Sequence, residues 1–107
     1  MIESIIASPE VVHYICKRFD IKMSKKLGQN FLIKRGIVDE IVKAADLQEG
    51  EPVLEIGPGI GTLTQGLAQS GANVTAIELD TRLLEVLDTT LAQYSNVRSE
   101  ERRVGKE

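Results

Sequence analysis

Tryptophan is absent from this chain of 107 residues, cysteine and histidine occur once each, and two tyrosines and two phenylalanines supply all the aromatic rings. With Cys16 alone there is no internal disulfide, which agrees with a reducing cytoplasm, the location expected for the chain. His13 has no second histidine to join it in a metal site or a catalytic triad, so no metal is expected. Long apolar runs are missing too. None approaches the roughly 18 residues that span a bilayer, and no basic start leads into an apolar stretch with a small-residue cleavage site. Neither a membrane partner nor export is expected.

What the sequence does contain is 42% hydrophobic and 27% charged residues, enough for one soluble domain or part of one. The net charge of −3 argues at first against a nucleic-acid partner, but it is unevenly spread. Residues 1–35 carry seven basic groups (Lys17, Arg18, Lys22, Lys25, Lys26, Lys34 and Arg35) against three acids, a net of +4, whereas residues 36–107 carry a net of −7. A basic arm beside an acidic domain suits docking on a phosphate backbone, because local charge governs such encounters. The same lysines and arginines also read as an ordinary solvated surface.

The most informative stretch runs Val53-Leu54-Glu55-Ile56-Gly57-Pro58-Gly59-Ile60-Gly61-Thr62, followed by Val74-Thr75-Ala76-Ile77-Glu78-Leu79-Asp80. An apolar strand that closes on alternating glycines and opens into a helix lets the backbone approach a ligand at the carboxyl edge of a parallel sheet. Glu78 stands 21 residues after Gly57, where an acid at the end of the second strand accepts both hydroxyls of a ribose. Dinucleotide sites space their glycines GxGxxG, with a helix amino terminus facing a pyrophosphate. Here the spacing is GxGxG and Thr62 fills the slot of the third glycine. That pattern favours a nucleoside ligand without a pyrophosphate. S-adenosylmethionine fits, with a ribose diol for Glu78, an adenine for the apolar wall beyond it and a methionyl end over the glycine turn.

Around this stretch the periodicity defines further elements. Ser8 caps a helix over residues 9–19, with Pro9 in its first turn and Glu10 at the positive end of its dipole. Val11, Val12, Ile15, Cys16 and Phe19 form its apolar face, which makes Cys16 a packing residue. Residues 20–34, basic and interrupted by Gly28, read as an extended segment or loop. A second helix begins at Gly36 and ends near Asp46-Leu47, then a strand covers Val53–Ile56. Leu63, Leu67 and Ala68 give the next helix an inward face, and Gly71 stops it. A strand over Asn73–Glu78 precedes a helix capped by Asp80 or Thr81 that carries Leu83, Leu84, Val86, Leu87 and Leu91. This alternation implies parallel strands joined by right-handed crossovers.

A third strand is due after Asn96-Val97, yet seven of the ten residues from Arg98 to Glu107 are charged. Buried parallel strands need near-continuous apolar runs. The expectation is therefore a chain truncated near residue 98, with a tail over 98–107 that is disordered or foreign to the fold.

One motif is explained by neither helical nor strand periodicity: Lys25-Lys26-Leu27-Gly28-Gln29-Asn30-Phe31-Leu32. Taken with Glu55-Ile56-Gly57-Pro58-Gly59-Ile60-Gly61, this octet closely resembles the ribosomal RNA adenine dimethyltransferases over roughly residues 5–97. The resemblance implies an α/β, Rossmann-like class I S-adenosylmethionine-dependent methyltransferase fold, incomplete, holding the N-terminal half of its doubly wound sheet. Residues 1–35 would supply a basic helix and a cofactor-closing segment, and residues 36–97 the N-terminal half of the methyltransferase domain. It further implies that Gln29, Asn30 and Leu32 close over S-adenosylmethionine, and that Gly57 and Gly59 line its methionyl portion. Glu78 would hold the ribose, with Glu55 and Gly61 of the same motif in the cofactor set. Lys22, Lys25 and Lys26 are the candidate RNA contacts. By themselves, Phe31 and Leu32 also read as plain core residues.

Members of this family hold the acceptor adenine with an Asn-(Leu or Pro)-Pro-(Tyr or Phe) element after the fourth strand, and this sequence contains none. The acid that follows the family's third strand and contacts the cofactor adenine is missing as well; Arg102 and Arg103 stand approximately there. The resemblance thus implies a parent enzyme, expected to be monomeric, that adds two methyl groups to each of two adjacent adenosines in a small-subunit ribosomal RNA hairpin on the 30S subunit. No catalytic residue for the acceptor falls within these 107 residues. The alternatives are another class I methyltransferase, an NAD-binding oxidoreductase domain, or a non-catalytic RNA-binding module.

Overall fold

The computed structural model describes residues 5–21 and 34–101. In chain order they form α1 (Pro9–Arg18), α2 (Arg35–Ala45), β1 (Pro52–Ile56), α3 (Thr62–Gln69), β2 (Asn73–Ile77), α4 (Thr81–Thr90) and β3 (Val97–Glu100). Local chemistry fixes the ends of these elements. The Ser8 hydroxyl accepts the Val11 N–H at 3.2 Å, and the Asp80 carboxylate accepts the Arg82 N–H at 3.0 Å, so α1 and α4 each start on a side chain that satisfies an otherwise orphan donor. At the end of α2, Asp46 adopts the left-handed conformation (φ 50°) and turns its N–H back to the carbonyls of Val42 and Lys43.

The three strands are parallel and lie in the order β1-β2-β3. Pro52 to Ile56 pair with Asn73 to Ile77, and Val74 to Ile77 pair with Val97 to Glu100. β3 overturns the expectation that no strand runs past Val97. The rule behind that expectation holds for strands buried on both faces, whereas the described helices cover one face of this sheet and β3 ends the row of described strands. Val97 reaches the core, while the Arg98 side chain is 72% exposed and pairs with Glu100 two residues on, at 2.9 Å. The rest of the tail, residues 102–107, lies outside the described residues, as do residues 22–33 of the expected loop.

Two apolar clusters hold the helices to the sheet. In one, Ile6 together with Val12, Ile15 and Cys16 of α1 joins Val86 and Leu87 of α4, Leu91 just beyond it, and Ile60 from the glycine turn, so α1, α4 and that turn share one core. Burial pushes the Cys16 thiol up from its ordinary pKa, in keeping with packing rather than nucleophilic use. The other cluster joins Leu67, Ala72 and Val74, with Val42, Leu47, Val53, Leu63 and Val97 packed around them. The inward face of α3 is wider than its apolar residues suggest: Leu67 and Ala68 are buried and Leu63 half-buried, but Thr64 and Gln65 are fully buried. Gln65 is accommodated because its amide oxygen accepts the Ile6 N–H at 2.8 Å and its amide nitrogen donates to the Tyr94 hydroxyl at 3.2 Å.

Only one face of the sheet is covered by the described helices. Val74 and Ala76 are buried, whereas Leu54 and Ile56, which alternate with Val53 and Glu55 along β1, are 61% and 71% exposed. Among the described residues no helix is long and apolar enough to cross a membrane.

Candidate cofactor site

The bend that follows β1 is the centre of the site. Gly57 extends the β1–β2 ladder by donating its N–H to the Ile77 carbonyl at 2.9 Å, then turns the chain with φ at +72°. No atom lies within 4 Å of where a Cβ would stand on Gly57, so the backbone there borders open space. A side chain would be strained by the dihedral and would occupy that space. Pro58 to Gly61 form a tight turn closed by the Gly61 N–H on the Pro58 carbonyl at 3.0 Å, and Gly61 leads into α3 as its N-cap.

Glu78 comes to the same bend from the next strand. Its N–H still pairs with the Glu100 carbonyl at 2.8 Å, one residue beyond the end of β2, so its backbone is fixed by the sheet. Its carboxylate accepts the Gly59 N–H at 3.2 Å through one oxygen and the Asp80 N–H at 3.1 Å through the other. At 8% exposure it is nearly enclosed, yet each oxygen keeps lone-pair capacity for a further donor. Leu79, next in sequence, is 64% exposed and offers an apolar surface beside the acid.

A second carboxylate lies at the other end of the bend. Glu55 accepts a 2.5 Å hydrogen bond from the hydroxyl of Thr64, which is itself fully buried in the first turn of α3. Burial holds the Glu55 carboxyl above its ordinary pKa; the Thr64 hydrogen bond works against that, and the negative charge of Glu78 adds to it. A carboxyl whose pKa is raised in the folded state binds its proton more tightly there than in the unfolded chain, so stability falls as pH rises from the ordinary glutamate range through the raised value. Glu55→Gln is therefore expected to gain stability relative to the parent chain at pH 7 and to lose that advantage under acid conditions. Thermal melts of both chains from pH 4 to pH 8 check this, and parallel pH profiles would show that Glu55 titrates alike in both states.

The structure brings Glu55, Gly57, Gly59, Gly61 and Glu78 together around one bend. Gln29, Asn30 and Leu32, and the basic trio Lys22, Lys25 and Lys26, lie outside the described residues. Sequence reasoning missed Thr64 and Thr90. Both hydroxyls act on residues outside their own helix, Thr64 on Glu55 nine positions earlier and Thr90 on the Ile60 carbonyl at 3.0 Å, thirty positions earlier, and helical periodicity does not mark such contacts.

A parallel sheet ordered β1-β2-β3, a glycine bend after its first strand and an acid ending its second define the N-terminal portion of a Rossmann-like class I S-adenosylmethionine-dependent methyltransferase fold. Solved structures agree. The chain superposes on a coclaurine N-methyltransferase bound to N-methylheliamine and S-adenosylhomocysteine with a TM-score of 0.62 and 25% identity, covering 72% of this chain and 25% of that one. It superposes on a dimethyladenosine transferase from Plasmodium falciparum with a TM-score of 0.59 and 33% identity, covering 67% and 27%. The family model for ribosomal RNA adenine dimethylase matches residues 20–101, and the chain belongs to that family. It is 46% identical over 92 residues to the ribosomal RNA small subunit methyltransferase A of Alkaliphilus oremlandii, covering 86% of this chain and 32% of that protein. The chain thus spans about a third of the length of the curated relatives it matches.

Proposed function

We propose that this chain is the cofactor-binding portion of an enzyme that dimethylates N6 of two adjacent adenosines in a small-subunit ribosomal RNA hairpin, with S-adenosylmethionine as methyl donor. The observation that carries the reading is the Glu78 carboxylate, 3.2 Å from the Gly59 N–H. One group from β2 and one from the bend after β1 thereby border the same space. The family membership supports the reaction, and the relative's printed name supports the small-subunit RNA.

The residues present suit this cofactor. Glu78 has free lone pairs for a ribose diol, and Leu79 lies beside it for the flat face of an adenine. The uncrowded backbone at Gly57 leaves room for the methionyl portion, and two carboxylates, Glu55 and Glu78, favour a ligand that carries positive charge. Gln29, Asn30 and Leu32 are proposed to close over that portion. Gly59 and Gly61 shape the turn beneath it, and Lys22, Lys25 and Lys26 are proposed to meet RNA phosphates. When bound, S-adenosylmethionine supplies an electrophilic methyl group whose leaving sulfur departs neutral. The chain's own task is thus to bind the donor and hold it in line with the acceptor nitrogen, and the proposal includes no metal. The acceptor adenine must be turned out of its helix before its amino group is within reach. We place the enzyme in the cytoplasm, as a monomer acting on the 30S subunit.

The test is calorimetric titration of the chain with S-adenosylhomocysteine and with NAD under the same conditions. Weak but saturable heat with the first and none with the second is expected. The reverse preference would return the site to a dinucleotide-dependent oxidoreductase.

A further inference from the structure

Thr90 stands at the last position of α4, 30 residues from the glycine bend in sequence, and it is fully buried. Its hydroxyl donates to the Ile60 carbonyl at 3.0 Å. The peptide between Ile60 and Gly61 is thereby held at both ends, since its carbonyl meets Thr90 and its N–H meets the Pro58 carbonyl at 3.0 Å. A peptide unit is rigid, so pinning both of its polar ends stops it from rotating and fixes the direction of the turn that precedes it. The surroundings leave little room for an alternative. A Cβ on Gly61 would lie 3.3 Å from Thr90 Oγ1, from Leu87 Cδ2 and from Leu91 Cδ1, and the Ile60 side chain is itself 1% exposed.

We propose that Thr90 is a positioning residue for the cofactor site: its hydroxyl sets the Ile60–Gly61 peptide, and through it the direction in which the Gly59 N–H meets Glu78. The Thr90 hydroxyl bonds to Ile60, whereas Glu78 bonds to Gly59 and Asp80, so Thr90 acts through the turn. Before the bend, Thr64 holds a side chain instead of a peptide, donating to the Glu55 carboxylate. On the bend's own backbone, the Thr90 hydroxyl thus holds the Ile60 carbonyl while Glu78 holds the Gly59 N–H. A buried carbonyl deprived of its donor seeks another partner, and the easiest way for it to find one is for the peptide to rotate.

This inference rests on the proposed methyltransferase reading only for the identity of the ligand, and its test separates the two. The 107-residue chain is labelled with nitrogen-15 and compared with Thr90→Val, Thr90→Ser and, as a control, Thr89→Val, whose exposed hydroxyl bonds only to the Glu85 carbonyl of its own helix. Thr90→Val, close in shape but lacking the donor, is expected to move the Gly59 and Gly61 amide signals far more than those of Gly36 and Gly50. Thr90→Ser, which retains the donor, returns them towards their original positions, and Thr89→Val leaves them in place. Affinity for S-adenosylhomocysteine is expected to fall about 5- to 30-fold in Thr90→Val and to recover in Thr90→Ser. The proposal is overturned if Thr90→Val leaves the two glycine signals unmoved, or if Thr90→Ser displaces them as much as Thr90→Val, since the methyl group and not the hydroxyl would then be the active part. Glycine signals that respond as expected in a chain that binds no S-adenosylhomocysteine would sustain the role of Thr90 and overturn the ligand.

Discussion

In a protein of the relatives' full length, Glu78→Ala is expected to lower affinity for S-adenosylhomocysteine by about 1–3 kcal/mol, or roughly 5- to 150-fold. Two losses combine. The carboxylate proposed to accept the ribose hydroxyls disappears, and the Gly59 and Asp80 N–H groups that it now satisfies are left to find water or to shift. Glu78→Gln separates these effects. Its amide keeps one oxygen acceptor but presents an NH2 to one of two backbone donors that both need an acceptor, so part of the turn must rearrange even though the side chain keeps its size. Both variants should therefore bind more weakly, with the alanine the weaker of the two. Isothermal titration of the three proteins measures the order directly. Equal affinity in all three would remove Glu78 from the site and leave it the structural role of fastening the bend.

Much of this geometry was legible in the sequence because it is local. A serine before a proline, an aspartate before a helix and apolar residues at helical spacing are signals read within one turn of chain, and α1, α2 and α4 begin and end within a residue or two of where those signals put them. The glycine bend was legible for a related reason: alternating glycines after an apolar strand mark a backbone that must turn sharply, and the acid of the second strand falls at a fixed chain distance from it. β3 was misread because a rule for strands buried on both faces was applied to a strand of a sheet with one face covered by the described helices. Arg98 and Glu100 point to one face, pair with each other and leave Val97 to the core. Thr64, Gln65 and Thr90 were not legible at all. A polar residue on a helix ordinarily faces water, and what makes these buried positions tolerable is a partner outside the helix: Glu55, Ile6 with Tyr94, and Ile60.

Purified as they stand, these 107 residues are expected to transfer no labelled methyl groups to small-subunit ribosomal RNA under conditions in which a full-length relative gives complete modification. The reason is chemical. The exocyclic amine of adenine is a poor nucleophile because its lone pair is drawn into the ring, so acceptors must hold its protons while the base is kept outside the stack. The Asn-(Leu or Pro)-Pro-(Tyr or Phe) element that would do this is not in the sequence, and the acceptor capacity that Glu78 retains beside the bend is the part proposed for the ribose of the donor. Cofactor binding is expected to survive only weakly. Leu54 and Ile56 are open to water on the sheet face opposite the described helices, where parallel sheets are normally covered, so the strands that position the bend lack half of their packing. Tritium incorporated into RNA above the no-protein background by this chain alone would mean that the acceptor base is held by residues other than that element, and it would move the search for the second half of the active site back into residues 1–101.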